Sequence, residues 1–197
     1  MSFHLGLTGS IGMGKSSTAR LFAEAGCAVW DADAAVHRLY APGGAAVAPM
    51  RAAFPGAVEG GAVSRAALKR IIGDDPAALH RIESIVHPLV ARDRADFTRN
   101  ATADILVFDI PLLFETGGNR AMDAVVCVSA PAEVQEARVL ERATMTAGQF
   151  RQIRDKQMPD AEKRARSDYV VVTDTPEHAR AQVRAIVDTI MAGLRDA

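Results

Sequence analysis

The segment Leu5–Thr18, LGLTGSIGMGKSST, constrains the fold more than any other part of the chain. Gly9, Gly14, Lys15 and Ser16 satisfy G-x-x-x-x-G-K-[ST]. The motif follows the short apolar run Phe3–Thr8, which reads as a buried strand. It leads into GKSSTARLFAEAG, which reads as a helix with Leu21, Phe22 and Ala25 inward and Gly26 as its stop. Glycines let such a loop wrap tightly, so consecutive N–H groups point into one hollow and the helix N-terminus adds partial positive charge. That hollow suits the phosphates of a nucleoside triphosphate. Lys15 reaches the outer phosphates and the Ser16 hydroxyl ligates Mg²⁺. A glycine turn that merely caps a helix is the weaker reading, because motif and context agree. Neither Asn100 nor Asn119 begins the N-K-x-D of a switch GTPase, and no D-x-x-G occurs. An ATP-using transferase, an ATPase and a passive binding module remain.

Four more apolar runs, AVWDAD, ILVFDIP, AVVCVSAP and YVVVTD, read as strands, with helical patterns between them. Alternation of this kind predicts an α/β fold with a five-stranded parallel sheet covered on both faces. The rhythm breaks between Tyr40 and Ala103, which is mostly helical, so an inserted helical subdomain is expected there. SRAALKRIIG reads as a helix with Ser64 as N-cap and Gly73 as stop. DPAALHRIESIV reads as another, with Leu79, Ile82 and Val86 on one face; Pro88 is expected to start a fresh helix with His87 just outside it. The chain has 197 residues and a net charge of -1, which gives no global pull toward nucleic acid or membrane. Cys27 and Cys127 lie in apolar runs and read as buried free thiols. With no signal-like leader and no bilayer-length apolar run, a cytoplasmic protein is expected, a monomer or weak homo-oligomer.

Two groups of acids point to the crevice edge of the sheet. Asp31 and Asp33 end the second run, where a carboxylate accepts a hydroxyl proton or helps hold Mg²⁺, or where one of the pair caps the next helix. Asp109 tips ILVFD, a usual place to orient Mg²⁺. Leu112, Leu113, Phe114 and Glu115 follow as either a core plug or an apolar wall beside the acceptor. His87 reads more readily as a structural hydrogen-bonder than as a catalyst. From Arg138 to Arg166 the chain is basic, including Arg142 and Lys163, and reads either as a solvated face or as a helical lid that closes over nucleotide.

Taken together, GLTGSIGMGKSS, DADAAVH, HPLV, DIPLLFE, VQEARVLER and QMPDAEKRARSDYVV, in that order, resemble the dephospho-coenzyme A kinases almost end to end. The resemblance implies transfer of the ATP γ-phosphate to the ribose 3′-hydroxyl of dephospho-coenzyme A, with Mg²⁺ held through Ser16 and Asp109. It implies a P-loop three-layer core (1–39, 103–137 and 167–197), a helical acceptor subdomain at about 40–102 and a lid at about 138–166. Gly12, Met13, Gly14, Lys15, Ser16 and Ser17 match the ATP loop. Arg142 matches the lid arginine, with Arg138 beside it on the ATP side, and Asp33 matches the base. Arg65, His87 and Leu112–Glu115 fall where the family meets its acceptor. Met13 stands where serine is common, Ser17 replaces a threonine, and VVVTDTPEH lacks the asparagine often found after the last strand. A nucleoside monophosphate kinase and a regulatory ATP-binding module are the rival readings.

Overall fold

The run Phe3–Thr8 forms β1, and Leu5 and Leu7 in it are fully shielded from solvent. The computed structural model describes residues 2–141 and 145–196. Along it lie β2 (Ala28–Asp31), β3 (Val58–Glu59), β4 (Ala62–Val63), β5 (Ile105–Asp109), β6 (Ala124–Ser129) and β7 (Tyr169–Val172). The helices are α1 (Lys15–Glu24), α2 (Ala32–Tyr40), α3 (Val47–Ala53), α4 (Arg65–Asp74), α5 (Ala78–Asn100), α6 (Ala132–Glu141), α7 (Ala147–Lys156), α8 (Asp160–Ala165) and α9 (Pro176–Arg195). The chain divides into two units, Met1–Trp30 with Ala101–Ala197, and Asp31–Asn100.

The first unit is built on the expected five-stranded parallel sheet, in the order β2-β5-β1-β6-β7. β1 is its centre: Leu5 lies opposite Val107 on one side and Ala124 on the other. Strand alternation sends Leu5, Leu7, Val107, Val126 and Val128 to one face. There they meet Phe22 of α1 and the stripe Ala179, Val183, Ile186, Val187 and Ile190 of α9. Thr175 caps α9 by accepting the His178 N–H at 3.2 Å, and Pro176 occupies its first turn. The opposite face carries Val125 with Leu113 and Phe114 from the segment after β5. Cys27 and Cys127 are buried free thiols, and burial pushes them up to about 11 and about 12, so both stay protonated.

The second unit packs its own core from Met50, Ala57, Leu68, Ala78, Ile82 and Val86. Ser64 caps α4 as expected, accepting the Ala67 N–H at 3.2 Å. Four features depart from the sequence reading. β2 ends at Asp31, whose carboxylate accepts the Ala34 N–H at 2.9 Å and caps α2, the alternative expected for one of the pair; the departure is Asp33, which sits in the first turn of that helix and not beside Asp31 on a strand. Pro88 lies inside one continuous helix, with His87 helical before it. Its ring removes one N–H and leaves the Ser84 carbonyl to solvent on an exposed face, while buried Ala78, Ile82 and Val86 hold the helix on its course. Leu79 is 44% exposed and Ala78 takes the inward position. Gly60 and Gly61, at φ 56 and 81, turn the chain between β3 and β4, a small hairpin inside the segment expected to be mostly helical.

Phe22 joins α1 to the sheet and is completely buried. Phe22→Ala is expected to lower the unfolding free energy of the first unit by about 3–5 kcal/mol, read from denaturant titration.

Candidate functional site

α1 begins without a side-chain cap. Its N-cap is Gly14, at φ 90 and ψ 17, and no side chain bonds the first turn. The Ser17 N–H already donates to the Gly14 carbonyl at 3.1 Å, while the N–H groups of Lys15 and Ser16, at the very head of the helix, lie ahead of any intrahelical acceptor and stand ready for an anion. Only glycine fits here: the backbone is left-handed, and an added Cβ would lie 3.0 Å from Thr173 Oγ1. Gly12, at φ 79, is closed off more tightly, since a Cβ would come within 2.6 Å of Val139 Cγ2 and 2.9 Å of the Gln135 carbonyl.

The residues of this loop are held from several directions. Met13 is 3% exposed, and its sulfur accepts the Ala130 N–H at 3.1 Å. This contact gives the methionine that replaces the common serine a packing role. The Met13 carbonyl accepts the Thr173 hydroxyl at 2.7 Å. The same hydroxyl accepts Arg138 Nη1 at 2.8 Å, while Arg138 Nη2 donates to the Thr173 carbonyl at 2.6 Å. Arg138 is thus drawn to the loop's flank by the residue that follows β7. Lys15 turns its ammonium onto the carboxylate of Asp109, which is 1% exposed at the tip of β5. Ser16 and Ser17 are exposed on the first turn of α1. Beside the loop opens a cavity of about 600 Å³, lined among others by Gly14, Ser17, Leu21, Arg138, Thr173 and Pro176. Its volume falls in the range of small-ligand sites.

The segment after Asp109 is anchored from below. Leu113 is fully buried and Phe114 is 8% exposed, both within the core, while Leu112 is 43% exposed. The Pro111 carbonyl accepts the Thr8 hydroxyl and the Lys163 ammonium, each at 3.0 Å. Lys163, one of the run read as lid or solvated cations, is completely buried and pairs with Glu115 at 3.0 Å. Glu115 also accepts the Met158 N–H at 3.0 Å. Burial pushes the Glu115 carboxyl up, but the Met158 N–H and the Lys163 ammonium outweigh it and hold the group below its ordinary value.

Asp33, Arg65 and His87 belong to the second unit, and all three are exposed. Asp33 lies in the first turn of α2, Arg65 at the start of α4 with its guanidinium 5.7 Å from the Tyr40 ring centre, and His87 midway along α5. Arg142 lies outside the described residues. No group of three or more His, Cys, Asp or Glu able to hold a metal ion occurs among the described residues. The oxygen donors at hand are Ser16 and Asp109, hard ligands of the kind that share Mg²⁺ with water and substrate phosphates. Thr173, Gln135 and Gln157 were missed by sequence reasoning, as was the buried pairing of Lys163 with Glu115. Thr173 alone left a signal, as a hydroxyl closing an apolar strand at the ligand edge of a parallel sheet.

A central strand running into a glycine loop, an uncapped helix behind it and a lysine facing a buried acid define the class: a P-loop nucleotide-binding protein. The model of the dephospho-CoA kinase family matches residues 3–178. A dephospho-CoA kinase of Ruegeria pomeroyi is 72% identical over 193 residues, covering 98% of each chain. A solved structure from Thermus thermophilus superposes with a TM-score of 0.84 at 31% identity, covering 98% of each chain. The dephospho-CoA kinase of Campylobacter jejuni shares the fold, with a TM-score of 0.71 at 20% identity over 98% of this chain and 99% of its own. The chain belongs to the dephospho-CoA kinase family.

The Glu115–Lys163 pair gives a pH test. A carboxylate whose folded pKa is depressed stabilises the fold above its ordinary value of 4.5, and that contribution is lost as pH falls through the lower folded value. Glu115→Gln removes the charge and is expected to be less stable than the parent at pH 7. The gap between the two should close as pH falls below 4.5. Chemical denaturation at stepped pH measures it.

Proposed function

We propose that the chain transfers the γ-phosphate of ATP to the ribose 3′-hydroxyl of dephospho-coenzyme A, giving coenzyme A and ADP, the closing step of coenzyme A biosynthesis. The observation that carries this reading is the uncapped head of α1 beneath the glycine loop, in a chain that belongs to this family. In this reading Gly12–Ser17 cradle the ATP phosphates and the flanking cavity takes the nucleoside, with Arg138 at its wall. Lys15 leaves Asp109 for the transferring phosphoryl group, where its charge opposes the charge that spreads there. Arg142 adds a second cation from the lid. Ser16 and Asp109 would hold Mg²⁺, which when bound neutralises phosphate charge.

Asp33 orients the 3′-hydroxyl. In a loose phosphoryl transition state the proton leaves late, so Asp33 accepts it as the new O–P bond forms and the bond to the β-phosphate oxygen breaks. Arg65, His87 and the exposed Leu112 serve the acceptor, with Glu115 fixing the loop that carries Leu112. Residues at about 40–102 form the acceptor subdomain and those at about 138–166 the lid, which excludes the water that would otherwise compete for the phosphoryl group. Among the described residues no helix is long and apolar enough to cross a membrane. The two buried thiols suit the reducing cytoplasm, and the chain is assigned there as a monomer or weak homo-oligomer.

A product assay with ATP and dephospho-coenzyme A tests the activity, and two variants test the roles. Lys15→Ala should fold normally and lose turnover by orders of magnitude; near-normal turnover would refute the role of the loop. Asp33→Asn keeps its size, so ATP affinity should be unchanged while single-turnover transfer falls about a hundredfold. Unchanged transfer would place the activating group elsewhere.

A further inference from the structure

The tip of the phosphate loop is gripped by two glutamines outside the loop's own motif. Gln135 Nε2 donates to the Ile11 carbonyl at 2.7 Å, and the Ile11 N–H donates to Gln157 Oε1 at 3.0 Å. The backbone fixes both amide orientations, since an N–H can only donate and a carbonyl only accept. Gln135 is 5% exposed in α6, and Gln157 is the partly buried C-cap of α7. The two therefore reach Ile11 from just before the basic helical segment and from within it. The next residue, Gly12, lies so near the Gln135 backbone that an added Cβ would come within 2.9 Å of its carbonyl, and Met13 is tied to Thr173 and Ala130. Three consecutive residues of the loop are thus fixed by groups distant in sequence.

A row of amides binds an anion well only if its peptide planes already converge, because a donor set that must first be ordered loses affinity. We propose that Gln135 and Gln157 are positioning residues of the ATP loop, one donating to Ile11 and the other accepting from it, and that together they set the planes on which the phosphates dock. The proposal rests on the reading of this loop as the ATP site.

Their opposite hydrogen-bond roles make the idea testable in the full-length enzyme. The KM for ATP, the KM for dephospho-coenzyme A and the melting temperature without nucleotide are compared across Gln157→Met, Gln157→Glu, Gln135→Met and Gln135→Glu. Gln157→Met should raise the KM for ATP about tenfold, the scale of one lost hydrogen bond, with the KM for the acceptor unchanged. Gln157→Glu still accepts from the Ile11 N–H and should stay within about threefold of the parent. Gln135→Glu has no proton to give the Ile11 carbonyl and should be at least as impaired as Gln135→Met. Both glutamates bring the same charge to the same residue, so a general charge effect would move them together, whereas the clasp separates them. Gln157→Glu matching Gln157→Met, or Gln135→Glu matching the parent, overturns the proposal. If the buried Gln135 variants fail to fold, the Gln157 pair decides alone. A parent protein that binds no ATP would instead remove the reading of the loop on which the proposal rests.

Discussion

The first turn of α1 offers its amides to no side chain, and much of the first unit is arranged to keep it so. A serine or aspartate at position 14 would satisfy part of that turn and fill the space where an anion docks. Gly14 avoids both, at the cost of a left-handed backbone that would wander if nothing held it. Thr173 stands where the missing side chain would be and ties the adjacent Met13 carbonyl. The buried Asp109 carboxylate parks the Lys15 ammonium close to the hollow, so the cation is on hand when phosphate charge arrives. Each of these contacts joins the loop to a different strand end, which makes the anion site a property of the whole sheet edge.

The segment after β5 solves a related problem. It must present residues at the same edge without collapsing onto it. Leu113 and Phe114 fix it to the sheet from beneath, and Lys163 fixes it from α8 through Pro111 and Glu115. A fully buried ammonium is costly unless charge and hydrogen bonds meet it, and here a carboxylate and a carbonyl both do. The same carboxylate accepts the Met158 N–H just ahead of α8, so one side chain joins the loop to the base of the basic segment.

How much of this was legible depended on how local the cause was. The sheet strands were readable because short apolar runs bounded by glycine, proline or acids have few other outcomes. The phosphate loop was readable because its glycines, lysine and serine act within a few residues of one another. Ser64 announced its helix for the same reason. Pro88 misled because the local rule against proline in a helix yields when the turns before it are pinned by buried Ile82 and Val86 and the turn after it by partly buried Val90. The Gly60–Gly61 hairpin was a passable signal inside a stretch too rich in small residues to stand out. The glutamine clasp was beyond reach: its partners are 124 and 146 residues from Ile11, and nothing in a single sequence marks such pairs. Lys163 was hidden in another way, as one cation in a basic run whose neighbours face solvent.

The place of β1 in the sheet has a consequence for how the chain is made. Its two neighbours are β5 and β6, and both follow the second unit in sequence. β1 is made before either neighbour and then waits, with the apolar row Phe3, Leu5 and Leu7 on one face, while about a hundred residues are synthesised. Long-range parallel pairing of this kind is slow, since loop closure must be met before any contact rewards it. An intervening unit with its own core shortens the effective loop once it folds, because β2 and β5, the strands that enter and leave it, are themselves neighbours in the sheet. The insert that divides the architecture is thus also the element best placed to speed its assembly and to limit the time the central strand spends open to aggregation.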